Sequence, residues 1–296
     1  MSFLNRRIIY SFGVISTLIS GCVVSIAQPE SISFVEFATA RTADKYSQAG
    51  GTRSADFRSV CDYHSDPLAA RVLREYGAIF SATQTVKVPK SCIFENAQAV
   101  SEFRKSLDAV SEKIDGTVIT LQREAMADLN LAVGIANKRG VRITPLDGAI
   151  AGDRTYEDTL KLWRSRFEPA LRYWTQKGKI KRAEADAAND LSPVQQVSRV
   201  VEWESKGFYF STGFNRSIFS SVAPPGTSQH LSLLAFDVVQ YGSAEVRRIL
   251  NEHGWYQTVI GDEPHFTYLG VKESELPKRG LRSVTRGKSR FWIPAM

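Results

Sequence analysis

Cysteine and histidine are scarce in this 296-residue chain, which has three cysteines and four histidines. The residues around Cys61 and Cys92 do not have the close spacing of a cysteine-based metal site, and His64 reads as a surface residue. The two cysteines can instead form a disulfide that closes a loop of about 30 residues, or remain as two buried thiols.

The chain also lacks the usual signs of nucleotide or nucleic-acid binding. It has no glycine-rich phosphate loop, and its basic residues are not interleaved with aromatic ones. We therefore predict no nucleic-acid partner, although the net charge is +7 and the isoelectric point is about 9.3. Such a charge suits an anionic partner such as a membrane surface or a cell-wall polymer, without choosing between them.

Long apolar runs are missing except at the N-terminus, where Arg6-Arg7 precede the run Ile8 to Ile19. This run is short for a membrane span, and it predicts an export signal over residues 1–27. Ile19-Ser20-Gly21-Cys22 is similar to a bacterial lipobox, in which Cys22 would be lipidated, whereas Ser25-Ile26-Ala27 is an ordinary cleavage site. An uncleaved anchor is the third alternative. We expect an exported periplasmic or cell-envelope protein, with or without a lipid anchor.

The rest of the chain divides into three predicted parts. Residues 28–57, rich in Ser, Thr, Ala and Gly, are predicted to be a linker. Residues 58–115 are predicted to be a helical extension, in which the apolar spacing from Asn96 to Ile114 favours one amphipathic helix ending before Gly116. Residues 116–296 are predicted to form the functional domain.

In that domain the predicted helices come first and the predicted strands gather late. Helices are predicted over residues 121–136, from Thr155 onward, over 193–203 and over 243–253. Strands are predicted over 141–143, 208–213, 233–239, 256–260 and 266–269, and one further strand is predicted over 85–88 in the extension. The predicted fold class is α+β, with a small, mainly antiparallel sheet and helices packed on one side.

Two histidines and an aspartate in the last third match the residues of a catalytic zinc site. His230 follows a Pro-Gly turn and is therefore predicted at the edge of a strand. Asp237 lies in an apolar strand, and His265 opens another strand. A carboxylate in a buried strand is costly unless it is paired or binds a metal. Antiparallel strands are about 4.8 Å apart, so ligands from neighbouring strands can meet at one ion. The alternative is two core histidines and an ion-paired aspartate.

The residues around these ligands resemble a known family. Pro225-Gly-Thr-Ser-Gln-His230 and Ala235-Phe-Asp237 resemble the Pro-Gly-Thr-Ser-x-His…Gly-x-Ala-x-Asp signature of the D-Ala-D-Ala peptidases, zinc enzymes of the LAS group. Trp255 to Gly270 resembles the closing segment of that family, and the resemblance covers roughly residues 116 to 272. It implies a LAS/hedgehog-like fold with Zn²⁺ bound by His230, Asp237 and His265.

The resemblance also suggests which residues carry out catalysis. Asp262 occupies the position of the family's catalytic carboxylate, whereas strand alternation favours its neighbour Glu263. Arg154, in a segment that resembles the family's Gly-Tyr-Arg-Ser-Tyr, and Arg216 are candidates for the substrate carboxylate or the oxyanion. Ser228 of the ligand motif is a candidate substrate-binding residue.

Two departures from the family pattern leave the activity open. Leu233 stands where the family has a glycine, and Gln229 stands where it usually has a glutamate. The resemblance implies a monomeric carboxypeptidase that acts on D-Ala-D-Ala or related bonds of peptidoglycan stem peptides. The alternatives are a peptidoglycan endopeptidase and a non-catalytic peptidoglycan-binding lipoprotein with a degenerate peptidase fold.

Overall fold

Helices and short strands alternate in residues 32–48 and 57–296, the part of the chain that this computed structural model describes. The predicted export signal and Cys22 lie outside that part. The described helices are α1 (Phe34–Gln48), α2 (Pro67–Tyr76), α3 (Ala97–Lys105), α4 (Arg123–Lys138), α5 (Tyr156–Gln176), α6 (Arg182–Asn189), α7 (Pro193–Ser205) and α8 (Ala244–Glu252). The described strands are β1 (Ala109–Ile114), β2 (Thr117–Gln122), β3 (Ala235–Asp237), β4 (Trp255–Tyr256), β5 (His265–Tyr268), β6 (Leu281–Arg286) and β7 (Ser289–Pro294). No helix in the described ranges combines the length and apolarity needed to span a membrane.

The strongest helix signals of the sequence are confirmed by α4, α5, α7 and α8. The long helix α5 begins where Thr155 and Asp158 form a capping box, which satisfies backbone N–H groups that would otherwise be unpaired. Helix α7 begins at Pro193, whose fixed φ suits the first helical position. These termini could be predicted because capping chemistry is local.

The predicted helix over 96–114 was wrong in its second half. Helix α3 ends at Lys105, and residues 109–114 form strand β1, which pairs with β2 through the turn Asp115-Gly116. Both turn residues have positive φ, 46° and 85°, as in the tight turns typical of Asp-Gly hairpins. This turn outweighs the helical spacing, and the predicted domain boundary at 116 falls inside it.

Other sequence expectations also differ from the structure. Residues 34–48, within the predicted linker, are helical, and residues 85–88, 141–143 and 208–213 do not form strands. The predicted strand over 233–239 shortens to β3, and of the predicted strand over 256–260 only Tyr256 lies in a strand, β4. In the segments that were predicted as strands, apolar side chains pack against the core from irregular backbone. Their apolar character therefore reflects burial and not strand formation.

The α+β class is confirmed, but the strands form three small antiparallel sheets and not one. The central sheet has the order β3-β5-β4, and the hairpins β1-β2 and β6-β7 form the other two. Helices α4 and α8 pack with the central sheet in one hydrophobic core, which contains Phe236, Trp255 and Phe266. Each of these three side chains is fully buried.

A second hydrophobic core joins α2, α5, α6 and α7 around Trp163, Phe167 and Trp203. The disulfide alternative is the one that the structure shows: Cys61 and Cys92 are bonded, with 31 residues of sequence separation. This bond holds the segment before α2 next to the segment before α3. The candidate site lies in a cleft lined by residues of the central sheet, of α5 and of the loop that carries His230, which is called the ligand loop below.

Candidate metal centre

The three predicted ligands meet at one point. His265 lies directly opposite Asp237 in the β3-β5 ladder, as neighbouring antiparallel strands require. His230 Nε2 lies 3.1 Å from His265 Nδ1 and 3.2 Å from Asp237 Oδ1, and His265 Nδ1 lies 3.1 Å from Asp237 Oδ1. Within the described residues, these three side chains form the group that could hold a metal ion.

The spacing of these three atoms fits a zinc ion. Ligand atoms about 2.0–2.1 Å from a tetrahedral ion lie about 3.3 Å from one another, close to the observed 3.1–3.2 Å. Hydrogen bonds do not explain the triangle equally well. If both histidines donate a hydrogen bond to Asp237, their two protonated ring nitrogens face each other. If one histidine instead donates to the other, the accepting ring nitrogen also turns its lone pair toward the Asp237 carboxylate. A shared cation removes this conflict.

The orientation of His265 is fixed by Gln229. The Gln229 side-chain amide donates to the Tyr76 carbonyl at 2.8 Å, which turns its Oε1 toward His265 Nε2, also at 2.8 Å. His265 Nε2 therefore carries the proton and Nδ1 presents its lone pair to the other ligands. The hydroxyl of Thr267 also donates to Gln229 Oε1. The neutral Gln229 amide thus orients His265 without adding a charge beside it.

His230 lies in a single helical turn, residues 229–232, and not at a strand edge as the sequence suggested. The turn ends at Leu233, which has φ 55° and ψ 35°, a left-handed conformation that favours glycine. A glycine would adopt this conformation without strain. Upstream, Gly226 approaches Phe94 so closely that a Cβ would lie 2.0 Å from its carbonyl oxygen.

The ligand loop is also held by Arg104, which the sequence did not reveal as a site residue. The Arg104 guanidinium donates to the carbonyls of His230 and Leu231 at 3.1 and 3.0 Å. It also donates to the Arg154 carbonyl at 2.8 Å and the Asp153 carboxylate at 2.7 Å. One planar fork therefore ties the loop that carries His230 to the segment that carries Arg154.

Arg154 reaches the site, but its guanidinium is bonded to a ligand. Its Nη2 donates to Asp237 Oδ2 at 2.8 Å, while Asp237 Oδ1 faces the two histidines. The side chains of Arg154 and Asp237 are 17% and 14% exposed, so water weakens this ion pair little. Arg154 therefore holds the Asp237 carboxylate in the orientation in which it faces the histidines.

The cleft beside the ligands has a volume of about 210 Å³. Three of the predicted site residues, Asp262, Ser228 and Arg154, line it. Glu263 is not among the lining residues, because 263–264 form a turn and strand alternation begins only at His265.

The structure does not bring Arg216, the second predicted site arginine, into the cleft. Its side chain is exposed, it does not line the cleft, and its backbone N–H donates to Ser211 Oγ. Arg166 on α5 lines the cleft instead. Its Nη1 donates to Ser165 Oγ, and no carboxylate within residues 32–48 and 57–296 forms an ion pair with it. The sequence places Arg166 eleven residues after the Thr155 cap, which gives no sign that it faces the ligands.

The protonation of the ligands follows from burial and charge. Burial lowers the pKa of His230 to about 4, although the Asp237 charge opposes this, so the ring is neutral at pH 7, as a metal ligand must be. Burial raises the pKa of Asp237, but the two adjoining histidines outweigh it and hold that pKa well below its usual value.

The pKa of the Asp262 carboxyl is raised by burial, with the His265 charge opposing the rise. By surface area Asp262 is exposed at the mouth of the cleft, although its carboxyl has dense protein around it.

Comparison with known proteins gives structural neighbours only, since no family model and no curated protein matches the chain. A mutant of the vancomycin-resistance D,D-pentapeptidase VanY in complex with Zn(II) is 19% identical over 57% of this chain and 84% of its own, with a TM-score of 0.31. VanYB in complex with D-alanine-D-alanine is 20% identical over 59% and 86%, with a TM-score of 0.32. The LD-carboxypeptidase LdcB is 22% identical over 54% and 72%, with a TM-score of 0.29. These neighbours are peptidases of the type that the ligand motif predicted. At such TM-scores, the chemistry of this chain is inferred from its own residues.

Proposed function

We propose that this chain is an exported zinc metallopeptidase that cleaves the D-Ala-D-Ala or a related bond of peptidoglycan stem peptides as a carboxypeptidase. One observation carries the proposal: His230 Nε2, Asp237 Oδ1 and His265 Nδ1 form a triangle with edges of 3.1–3.2 Å beside a cleft lined by a further carboxylate. The ligand motif's resemblance to the D-Ala-D-Ala peptidases supports this substrate and a LAS-like fold.

The donor set favours zinc over other common ions. Two imidazole nitrogens and one carboxylate oxygen match catalytic zinc sites, whereas calcium and magnesium prefer oxygen ligands alone. When bound, zinc supplies Lewis-acid chemistry that activates water and polarises the carbonyl of the scissile bond. His230 and His265 would hold the ion through the ring nitrogens that face each other, Nε2 and Nδ1, and Arg154 would keep Asp237 Oδ1 turned toward it.

Asp262 is the proposed general base. Its carboxylate accepts a proton from the attacking water and then donates that proton to the leaving amine. A raised pKa makes this carboxylate a better proton acceptor, and its position in the cleft wall favours it over Glu263.

Arg166 is the proposed partner of the substrate's terminal carboxylate. A planar guanidinium binds a carboxylate through two parallel hydrogen bonds. Arg166 lines the cleft without a carboxylate partner among the described residues, while Arg154 is bonded to Asp237. A carboxylate-binding arginine favours a carboxypeptidase over an endopeptidase, since only the former cuts beside a free C-terminus.

The proposed compartment rests on the N-terminal pattern and the disulfide. Residues 1–27 have the charge and apolar order of an export signal, and the Cys61–Cys92 bond suits an oxidising environment. The lipobox-like segment ending at Cys22 leaves a lipid anchor as part of this proposal.

The test combines zinc content with hydrolysis of diacetyl-Lys-D-Ala-D-Ala. We expect one zinc per chain and release of D-alanine by the native protein. Asp262→Asn should retain zinc and lose at least about 100-fold in kcat, whereas Glu263→Gln should remain near the native rate. Arg166→Ala should mainly raise KM for a substrate with a free carboxylate.

Three outcomes would redirect the proposal. Bound zinc without hydrolysis of any muropeptide would favour the non-catalytic lipoprotein. Cleavage of cross-bridges in digested sacculi, with no D-alanine released, would favour the endopeptidase. Full activity of Asp262→Asn would refute the assignment of the base.

A further inference from the structure

The metal-site cleft has a third carboxylate, which the proposed reaction does not use. Asp147, Asp237 and Asp262 all line the cleft. Asp237 is bonded to Arg154 and faces the two histidines, and Asp262 is the proposed base. Asp147 has neither role. No local motif connects it with the candidate ligands, because it lies far from all three of them along the chain.

Asp147 is held beside the strand that carries one candidate ligand. The backbone N–H of Leu146 donates to the Asp237 carbonyl at 2.9 Å, and that of Val239 donates to the Thr144 carbonyl, also at 2.9 Å. The segment that leads to Asp147 therefore runs alongside the end of β3. Asp147 is the first residue after this pairing, so its place at the edge of the cleft is set by the same strand that presents Asp237.

The Asp147 carboxylate is exposed, and no cation or hydrogen-bond donor of the described residues pairs with it. Its backbone has φ 62° and ψ 29°, a left-handed conformation, and Gly148 follows with φ 75°. A glycine would adopt the conformation of residue 147 without strain, whereas an aspartate adopts it at some cost. Strain of this kind is typical of positions where the side chain has a function.

The unpaired charges of the cleft have both signs. Arg166 on α5 is a cation without a carboxylate partner, and no ion pair joins it to Asp147. A ligand that satisfies both side chains has a carboxylate and an ammonium group. The lining also includes Leu162, Val222 and Val259, whose apolar side chains suit small apolar groups such as methyls.

A stem peptide with an unmodified diamino acid has all of these groups. Its terminal carboxylate is the proposed partner of Arg166, and the two alanines carry only methyl groups. The diamino acid that precedes them has a side-chain amine that is positively charged at pH 7. Because the cleft, at about 210 Å³, is small for a ligand site, the diamino acid lies at its mouth, where Asp147 is exposed.

We propose that Asp147 binds the side-chain ammonium group of this diamino acid and makes the cleft selective for stem peptides whose amine is free. This inference rests on the proposed function, since it specifies which stem peptides the same cleft accepts. Acylation of the amine, as in a cross-linked stem peptide, removes the positive charge and adds bulk. Stem peptides that are not cross-linked through this amine are therefore the preferred substrates.

The test compares the hydrolysis of three peptides by the zinc-loaded full-length protein. Nα-acetyl-Lys-D-Ala-D-Ala has the free amine, and diacetyl-Lys-D-Ala-D-Ala has the acylated amine. The counterpart with norleucine in place of lysine has an uncharged side chain without the added bulk. The site variant is Asp147→Asn, which removes the charge and keeps a side chain that tolerates the left-handed conformation. The matched control is Asp190→Asn, the same change at an exposed aspartate that follows α6 and does not line the cleft.

We expect the native kcat/KM for the free-amine peptide to exceed the values for both neutral peptides by about three- to tenfold, mainly through KM. Added salt should reduce this preference. Asp147→Asn should bring the three values to within about twofold of one another, whereas Asp190→Asn should keep the native preference. Equal values in the native protein, a preference that persists in Asp147→Asn or its loss in Asp190→Asn would overturn the inference.

Calorimetric binding of the three peptides to zinc-loaded Asp262→Asn separates this inference from the proposed function, because it does not require hydrolysis. Tighter binding of the free-amine peptide, without hydrolysis of any peptide by the native protein, would support the role of Asp147 and contradict the proposed peptidase. Hydrolysis without a preference would overturn the role of Asp147 alone. If no peptide is bound or hydrolysed, both proposals are wrong.

Discussion

Replacing Arg104 by alanine tests whether the metal site depends on the clamp described above. The change removes four hydrogen bonds of 2.7–3.1 Å, three of them to backbone carbonyls of the segments that carry His230 and Arg154. Leu231 and His230 are fully buried, so water cannot readily replace the lost donors there. The loop is then free to shift, and the first ligand moves with it.

The expected cost follows from the kind and exposure of these bonds. A hydrogen bond to a charged group contributes about 1.5–3 kcal/mol, and bonds that share one side chain do not add fully. The Asp153 carboxylate is 36% exposed, so its contribution is discounted. We expect a loss of about 2–4 kcal/mol in the free energy of unfolding, together with a roughly 10–100-fold loss in zinc affinity, as for other groups that orient metal ligands.

The assay is urea unfolding of the metal-free protein, combined with zinc competition against a chromogenic chelator. Arg104→Lys keeps the charge without the planar fork and should fall between the native protein and the alanine variant. Arg123→Ala is the matched control, because Arg123 and Asp108 form an ion pair with side chains that are 60% and 69% exposed. It should cost less than about 1 kcal/mol and leave zinc affinity unchanged. Native zinc affinity in Arg104→Ala would refute the assignment of the clamp.

Three further results are expected. Cys61→Ala/Cys92→Ala should lower the free energy of unfolding by about 3–4 kcal/mol, since the bond closes a loop of 31 residues; a loss below about 1 kcal/mol in urea would contradict this. Leu233→Gly should be more stable than Leu233→Ala by about 1 kcal/mol, because both lose the buried side chain but only glycine tolerates φ 55° without strain; equal melting temperatures would show that the conformation is not strained. The metal-free protein should lose about 3 kcal/mol in the free energy of unfolding as pH falls from about 6.5 to about 4. In this range His230 is protonated in the unfolded state but stays neutral in the folded state, because burial lowers its pKa to about 4. This slope should be smaller in His230→Gln, and an unchanged slope would assign it to other groups.

Most of the fold that could be predicted from the sequence rests on signals contained within a few neighbouring residues. The capped helices, such as α5 after Thr155, were predictable because a cap and an apolar stripe are written within a few turns. The turn at Asp115-Gly116 is an equally local signal for a hairpin. The helical spacing of the apolar residues before it nevertheless led to the wrong prediction of a helix up to Ile114. Strand β5 was predicted to within one residue of its observed bounds, and all four of its residues are buried.

The residues that orient the site could not be predicted in the same way. Gln229 contacts Tyr76 and His265, at sequence separations of 153 and 36 residues, and Arg104 contacts His230 across 126. Arg166 lies on the amphipathic helix α5, whose orientation is set by its packing in the second hydrophobic core. Such contacts depend on how the elements dock, which a linear pattern does not encode.

The sequence by itself predicted the three candidate ligands, because two histidines and a carboxylate in a recognisable local motif indicate a metal site before any fold is known. Tertiary structure decided which nitrogen of His265 faces the other two candidate ligands, that Asp262 and not Glu263 lines the cleft, and that Arg166 and not Arg216 lines it as well. The physical reason is the same in each case. Chemical identity is a property of a residue, whereas orientation, burial and pairing are properties of its neighbours after folding.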